Sequence, residues 1–220
     1  MSVNKRFDFD KKYLKDYDFI IGADEAGRGP GAGPVYAAAV CFTSLDENLK
    51  NLLEKLNDSK QLNEKTREEL YNIIINNSIW AVDSGSIEEI EKLNILKTSL
   101  LTMKKCIEQV KFKINSEKIS VLVDGNKKIP QLQYNQECIV KGDYKSASIA
   151  AASIIAKVER DRFMIKLDKE YPMYEWSKNK GYITKQHIEA VDKYGLTKWH
   201  RKKFFEKHFS VSEQLSLLKF

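Results

Sequence analysis

The chain has 220 residues and only three cysteines, Cys41, Cys106 and Cys138. They are odd in number, far apart and without ligand spacing, which excludes a disulfide framework and a thiolate zinc site; they read as buried free thiols in a reducing, cytoplasmic setting. Histidine is equally scarce. His187, His200 and His208 have no metal spacing, and they read as structural or phosphate-facing. No apolar run approaches the roughly 20 residues that a membrane span requires. The first residues, MSVNKRFDFDKKY, lack the apolar core of a secretory signal, so no export is expected. Repeats, low-complexity tracts and clear linkers are also missing.

What is present is a chain of ordinary globular composition, 42% hydrophobic and 31% charged, long enough for one well-buried core. The net charge of +6 is confined to one segment. Residues Lys178 to His208 hold nine Lys/Arg against three Asp/Glu, and the remainder is balanced at 28 of each. The same segment carries Tyr182, Tyr194, Trp199, Phe204 and Phe205. Basic residues interleaved with aromatics suit a nucleic acid. The plainer alternative is a solvated face whose aromatics point inward.

Hydrophobic patterning predicts strands over Phe19–Asp24, Val35–Phe42, Ile79–Ser84, Ile119–Val123 and Glu137–Val140, the first two joined as a hairpin. Asn63 is a candidate N-cap for a helix through Asn76. Ser86 and Glu89 fit a capping box that opens one long helix, with Ile90, Leu93, Leu100, Met103, Ile107 and Val110 on its apolar face. From Ser146 to about Glu170 runs a helix crowded with alanine and serine, whose backbone must pack very close to its neighbours; Pro172 follows its end. The order of elements predicts an α/β mixed sheet flanked by helices. A catalytic domain over residues 1–172 and a basic, helical C-terminal region over 173–220 are expected.

Three of these strands end in acid: Asp24 with Glu25, Asp124, and Asp143 just beyond Lys141-Gly142. Ligands of open α/β sheets collect outside the carboxyl ends of strands, so neighbouring strands would bring the four carboxylates together. Such a cluster repels itself unless cations neutralise it. Oxygen donors without His or Cys favour Mg²⁺ or Mn²⁺, and a carboxylate-held pair of such ions is the apparatus of phosphodiester hydrolysis. Adjacent strand residues face opposite ways, so Glu25 is expected where the strand is already breaking into the loop. In that loop, Gly27 and Gly29 free backbone N–H groups to face an anion or a sugar hydroxyl, while Arg28 holds a phosphate or braces the loop by a salt bridge. Lys60, in Asp58-Ser59-Lys60, is placed to meet a phosphate. Tyr182 is placed to stack on a sugar or base. Asp161 reads as one half of an intrahelical or core ion pair.

Together, DEAGRGPGAGPV (24–35), DSKQL (58–62), VLVDGN (121–126), VKGD (140–143), SIAAASIIAKVERDR (148–162), NKGYITKQH (179–187) and HRKKFF (200–205) resemble bacterial ribonuclease HII, in that family's order and across nearly the whole chain. The resemblance implies a ribonuclease H-like fold with a C-terminal helical region. It implies an endonuclease that cuts the RNA strand of RNA–DNA hybrids, and cuts at single ribonucleotides embedded in duplex DNA. The family's four catalytic, metal-holding carboxylates fall on Asp24, Glu25, Asp124 and Asp143, its sugar-sensing loop on Gly27, Arg28 and Gly29, and its junction-sensing tyrosine on Tyr182. A monomer needing Mg²⁺ or Mn²⁺, with no membrane partner, is expected. Gly31 stands where the family usually has leucine, and Ile183 where glycine commonly follows the tyrosine. The rival readings are another metal-dependent phosphoryl hydrolase and a non-catalytic binding module carried by the basic segment.

Overall fold

The computed structural model describes residues 3–53, 56 and 62–206. Five strands form one mixed sheet: β1 (Phe19–Ala26), β2 (Val35–Phe42), β3 (Ser78–Gly85), β4 (Ile119–Asp124) and β5 (Asn135–Ile139), in the order β3-β2-β1-β4-β5. The first three strands form an antiparallel meander, and β4 and β5 add parallel to β1. The helices are α1 (Val3–Tyr13), α2 (Glu47–Leu52), α3 (Glu64–Asn76), α4 (Ile87–Leu93), α5 (Ile95–Phe112), α6 (Gly142–Lys145), α7 (Ala147–Glu170), α8 (Trp176–Asn179) and α9 (Lys185–Tyr194). Among the described residues, no helix is long and apolar enough to cross a membrane.

The two-residue period of the strands sorts side chains between two cores. Ile21 and Ala23 of β1, Ala37, Ala39 and Cys41 of β2, and Val121 and Val123 of β4 pack under α5 through Leu100, Met103, Cys106, Ile107 and Val110. On the other face, Ala38, Val40 and Phe42 meet the alanines of α7, and Ile20 and Leu122 meet Ile149. The small residues of α7 do what their number predicted. At Gly22 the α7 backbone lies so close that a Cβ would stand 2.2 Å from the Ser148 carbonyl carbon and 2.4 Å from the Ile149 nitrogen.

The predicted long helix after Ser86 is two helices. The capping box is present, but Asn94 adopts φ 72°, closes α4 with its N–H to the Ile90 carbonyl, and caps α5 by accepting from the Lys97 N–H. The Asn94 side chain caps the new helix, so the chain breaks here without disturbing the apolar period. Strand β1 runs two residues past its predicted end, and Glu25 is paired opposite Ala37 within the ladder, not in broken backbone. Strand β5 begins earlier and stops at Ile139; Val140 is exposed, and Lys141 turns left-handed to open α6.

Gly22→Ala is expected to cost about 3 kcal/mol or more, the upper range for an overpacked core, because backbone stands in the way of the new methyl. The midpoint of urea denaturation measures it. A loss below about 0.5 kcal/mol would mean that α7 can retreat from β1.

Candidate active site

The same period places Asp24, two residues after Gly22, on the α7 side of β1. Asp124, two after Leu122, lies on the same side of β4. They follow the paired residues Ala23 and Val123 of the two central parallel strands. Asp143 comes from α6, whose Gly142 N–H donates to Asp124 Oδ1 at 2.7 Å. Asp24, Glu25, Asp124 and Asp143 therefore line one cleft of about 190 Å³, with Gly27, Arg28, Gly29 and Tyr182 on its rim. Glu25 reaches this cleft from within the ladder, and it also borders a smaller hollow on the α5 side.

Asp24 is 6% exposed, and burial, followed by the charges of Glu25 and Asp124, holds its carboxyl well above the usual carboxylate range. Its Oδ1 accepts from the Glu25 N–H at 2.7 Å. Arg28 pairs with Glu25 at 3.1 Å, the salt bridge of the bracing alternative. Among the described residues, no three Asp, Glu, His or Cys side chains already converge into an ion cage. Asp24 and Asp124 each turn an oxygen to a backbone N–H, and Glu25 is engaged by Arg28. In chemistry the set fits a hard divalent cation, being four carboxylates whose mutual repulsion a cation would relieve.

The glycine loop is shaped by two buried arginines. Arg201 donates to the carbonyls of Gly27 (2.7 Å), Arg28 (3.2 Å), Pro30 (2.7 Å) and Gly33 (2.7 and 2.9 Å). Arg160 donates to Ala32, Pro34 and Lys180. Burial, then the charge of Arg160, pulls Arg201 down to about 9, so it remains a cation at neutral pH. Gly27 is required twice over: its φ is +95°, and a Cβ there would stand 2.0 Å from Arg160 Nε.

Tyr182 is half exposed, with its ring over Gly29. Its backbone is held from behind by a histidine chain. The Thr197 N–H donates to His200 Nδ1 at 2.8 Å, so His200 carries its proton on Nε2. That N–H and the Trp176 indole N–H both point at His187 Nε2, each at 3.2 Å. His187 Nδ1–H then donates to the Tyr182 carbonyl at 2.9 Å. The structural alternative therefore holds for His187 and His200, both fully buried.

Lys60 and His208 lie outside the described residues. Of the aromatics in the basic segment, Tyr182 and Tyr194 are exposed; Phe205 is core, and Trp199 and Phe204 pack against it. Asp161 forms its intrahelical pair with Lys157 at 2.7 Å. Sequence reasoning missed Ser153, Lys157 and Arg160, which also line the cleft. Their i, i+4, i+7 spacing on a helix otherwise rich in alanine is the polar stripe that would have pointed to them.

A five-stranded mixed sheet with carboxylates at the ends of its two central parallel strands defines a ribonuclease H-like enzyme. Residues 21–211 match the family model for ribonuclease HII. The chain is 50% identical over 205 residues to a ribonuclease HII of Fusobacterium nucleatum, covering 92% of this chain and 94% of that one. Among solved structures, it is similar to that of a PCNA:RNase HII complex from Archaeoglobus fulgidus (TM-score 0.67, 27% identity, 83% of this chain and 93% of that one). It is similar also to the ribonuclease H2 from Pyrococcus horikoshii (TM-score 0.67, 25% identity, 89% and 98%). The chain belongs to the ribonuclease HII family, metal-dependent endonucleases that cleave RNA in RNA–DNA hybrids and cut at embedded ribonucleotides.

The histidine chain ties stability to pH. Burial, then the charge of His187, pushes His200 down to about 4, and burial lowers His187 as well. A depressed folded value means that the unfolded chain binds the proton first. The contribution is whole above about pH 6.5 and is lost as pH falls towards 4. For His200 the loss is on the order of a few kcal/mol. Urea midpoints from pH 7.5 to 4.5 for the parent and for His200→Gln should converge as pH falls; parallel curves would refute the assignment.

Proposed function

We propose that Asp24, Glu25, Asp124 and Asp143 hold two divalent cations, Mg²⁺ or Mn²⁺, and that Gly27, Arg28, Gly29 and Tyr182 read the sugar next to the cut. The observation that carries this reading is that four carboxylates from three separate elements line one cleft, the deepest of them kept from ionising freely by burial first and by its neighbours' charge second. Bound there, such ions supply an activated water and neutralise the charge growing on the leaving 3′ oxygen.

The residues supply the rest. Asp24 and Asp124 are oriented by the N–H groups of Glu25 and Gly142, which leaves each a second oxygen for an ion. Glu25, now paired with Arg28, would be the fourth carboxylate to hold the ions, and Arg28 would then face a substrate phosphate. Lys60 is assigned to a phosphate on its place in the sequence alone. The backbone of Gly27 to Gly29 meets the 2′-hydroxyl with no side chain between. Base edges are inaccessible in an intact duplex, so the sugar carries the signal. Tyr182 presses on the following sugar, where a second hydroxyl would clash, and so marks the RNA-to-DNA step. The exposed Lys198, Lys202 and Lys203 are placed to track the backbone of a single enzyme-bound duplex, with the enzyme acting as a monomer.

Asp24→Asn and Asp124→Asn are each expected to lower turnover by about a thousand-fold or more, since the metal contribution is several kcal/mol and roughly 1.4 kcal/mol is tenfold. In EDTA at neutral pH, Asp24→Asn should melt at an equal or higher temperature than the parent, because it removes a carboxylate that folding holds in an unfavourable ionisation state. The advantage should vanish below the ordinary carboxylate range, where the parent is protonated in both states. The parent's products should carry 5′-phosphate and 3′-hydroxyl ends. Near-normal turnover by either variant at saturating Mg²⁺, or a 2′,3′-cyclic phosphate among the products, would overturn the mechanism.

Tyr182→Ala should lose most activity on a duplex with one ribonucleotide and less on a long hybrid. The measurement is the ratio of kcat/KM for the two substrates. An unchanged ratio would remove Tyr182 as the reader of the junction.

A further inference from the structure

Gly31 lies in the glycine loop but, unlike Gly27 and Gly33, it does not have a positive φ. The turn therefore does not require glycine at this position; the space does. A Cβ at Gly31 would stand 2.7 Å from Ile183 Cγ1, 2.8 Å from Ile183 Cδ1 and 2.9 Å from Phe205 Cε2. Phe205 is 1% exposed and boxed in by the core, whereas Ile183 is 36% exposed and can swing outward. Whatever enters at position 31 must therefore displace residue 183.

Residue 183 is not free to move alone. Tyr182 sits between two wedged neighbours. On one side, Gly181 accepts from the Gly31 and Ala32 N–H groups at 2.9 and 3.2 Å, and a Cβ on it would meet the Ala32 oxygen at 2.4 Å. On the other side, Ile183 fills the hollow over Gly31. The Tyr182 carbonyl is pinned by the Thr184 N–H (2.9 Å) and by His187. Its ring lies at ordinary contact distance, 3.4 Å from where a Gly29 Cβ would be. The gap between the Tyr182 ring and the Gly27–Gly29 backbone is thus set by how residues 31 and 183 share one small volume.

We propose that Gly31 and Ile183 form a spacer that fixes this gap, making Ile183 a positioning residue for discrimination between embedded ribonucleotides and continuous hybrids. The proposal rests on the reading of Tyr182 as the junction sensor. A side chain added at 31 pushes Ile183 outward and takes the Tyr182 backbone with it. A side chain removed at 183 opens the hollow and loosens the same tyrosine. Either change alone damages the reading of the junction, and the two together conserve the volume and offset each other.

The test is a swap that moves a four-carbon side chain across the contact: Gly31→Leu, Ile183→Gly and the double variant, with Gly31→Ala as a milder probe should Gly31→Leu not fold. The kcat/KM ratio, single-ribonucleotide duplex over long hybrid, should fall about five- to ten-fold in each single variant and return to within about three-fold of the parent in the double, a coupling in the usual range for residues in contact. Placed on Tyr182→Ala, the same substitutions should leave the ratio alone. Thermal melting without substrate should show the same coupling between positions 31 and 183. Additive losses of melting temperature would overturn the spacer. Coupled melting with an unmoved ratio in the single variants would overturn its part in specificity, as would a ratio that still responds on Tyr182→Ala. If Tyr182→Ala alone leaves the ratio unchanged, the sensor reading fails, and the melting cycle still decides whether the spacer exists.

Discussion

The site depends on one guanidinium. Arg201 enters from the last described turn of the chain, is fully buried, and gives its N–H groups to carbonyls of the loop between β1 and β2. A glycine-rich loop has little to hold it in one conformation, and its carbonyls turn inward where water cannot reach them. Buried backbone acceptors must find donors. A planar fork of five N–H groups answers several of them from one side chain, and lysine has no such geometry. Arg160 serves the neighbouring carbonyls and reaches Lys180 beside the tyrosine turn. The two arginines thus join the C-terminal segment, α7 and the loop into one rigid rim.

This arrangement sets a cationic scaffold behind an anionic cleft. Asp24 sits deep among other carboxylates, and folding makes its ionisation harder. The bracing arginines face backbone and not acid, and at the cleft itself Glu25 forms a partly exposed pair with Arg28. A screened pair of that kind is worth little. The backbone beneath the cleft is tightly packed, with α7 against β1 at Gly22.

The tyrosine turn shows the same division. Tyr182 presents its ring to solvent, and everything behind it is fixed: the histidine chain at its carbonyl, Arg160 at Lys180, and Gly181 and Ile183 pressed into the loop. In the role proposed for Tyr182, a ring that distinguishes a hydroxyl from a hydrogen must not yield by much more than the size of that hydroxyl. The basic segment, by composition a nucleic-acid surface, spends its Arg201, Trp199 and Phe205 inside the fold on this rigidity and offers mainly its lysines and two tyrosines outside.

Local chemistry made much of this legible beforehand. Apolar runs ending in acid marked the strands and the carboxylates, because strand period and burial act over a few residues. The alanine-rich stretch announced a closely packed helix, and Ser86 with Glu89 announced the start of α4. The break at Asn94 was legible in kind but masked by an apolar period that continues across it. What only the tertiary structure decided were contacts across long stretches of chain. Arg201 and the loop it organises are some 170 residues apart. The histidines look alike in sequence whether they face a phosphate or each other. Gly31 and Ile183 are two unremarkable residues until folding makes them claim the same space. A residue's type and near neighbours determine what it can do, and distant packing determines which of those things it does.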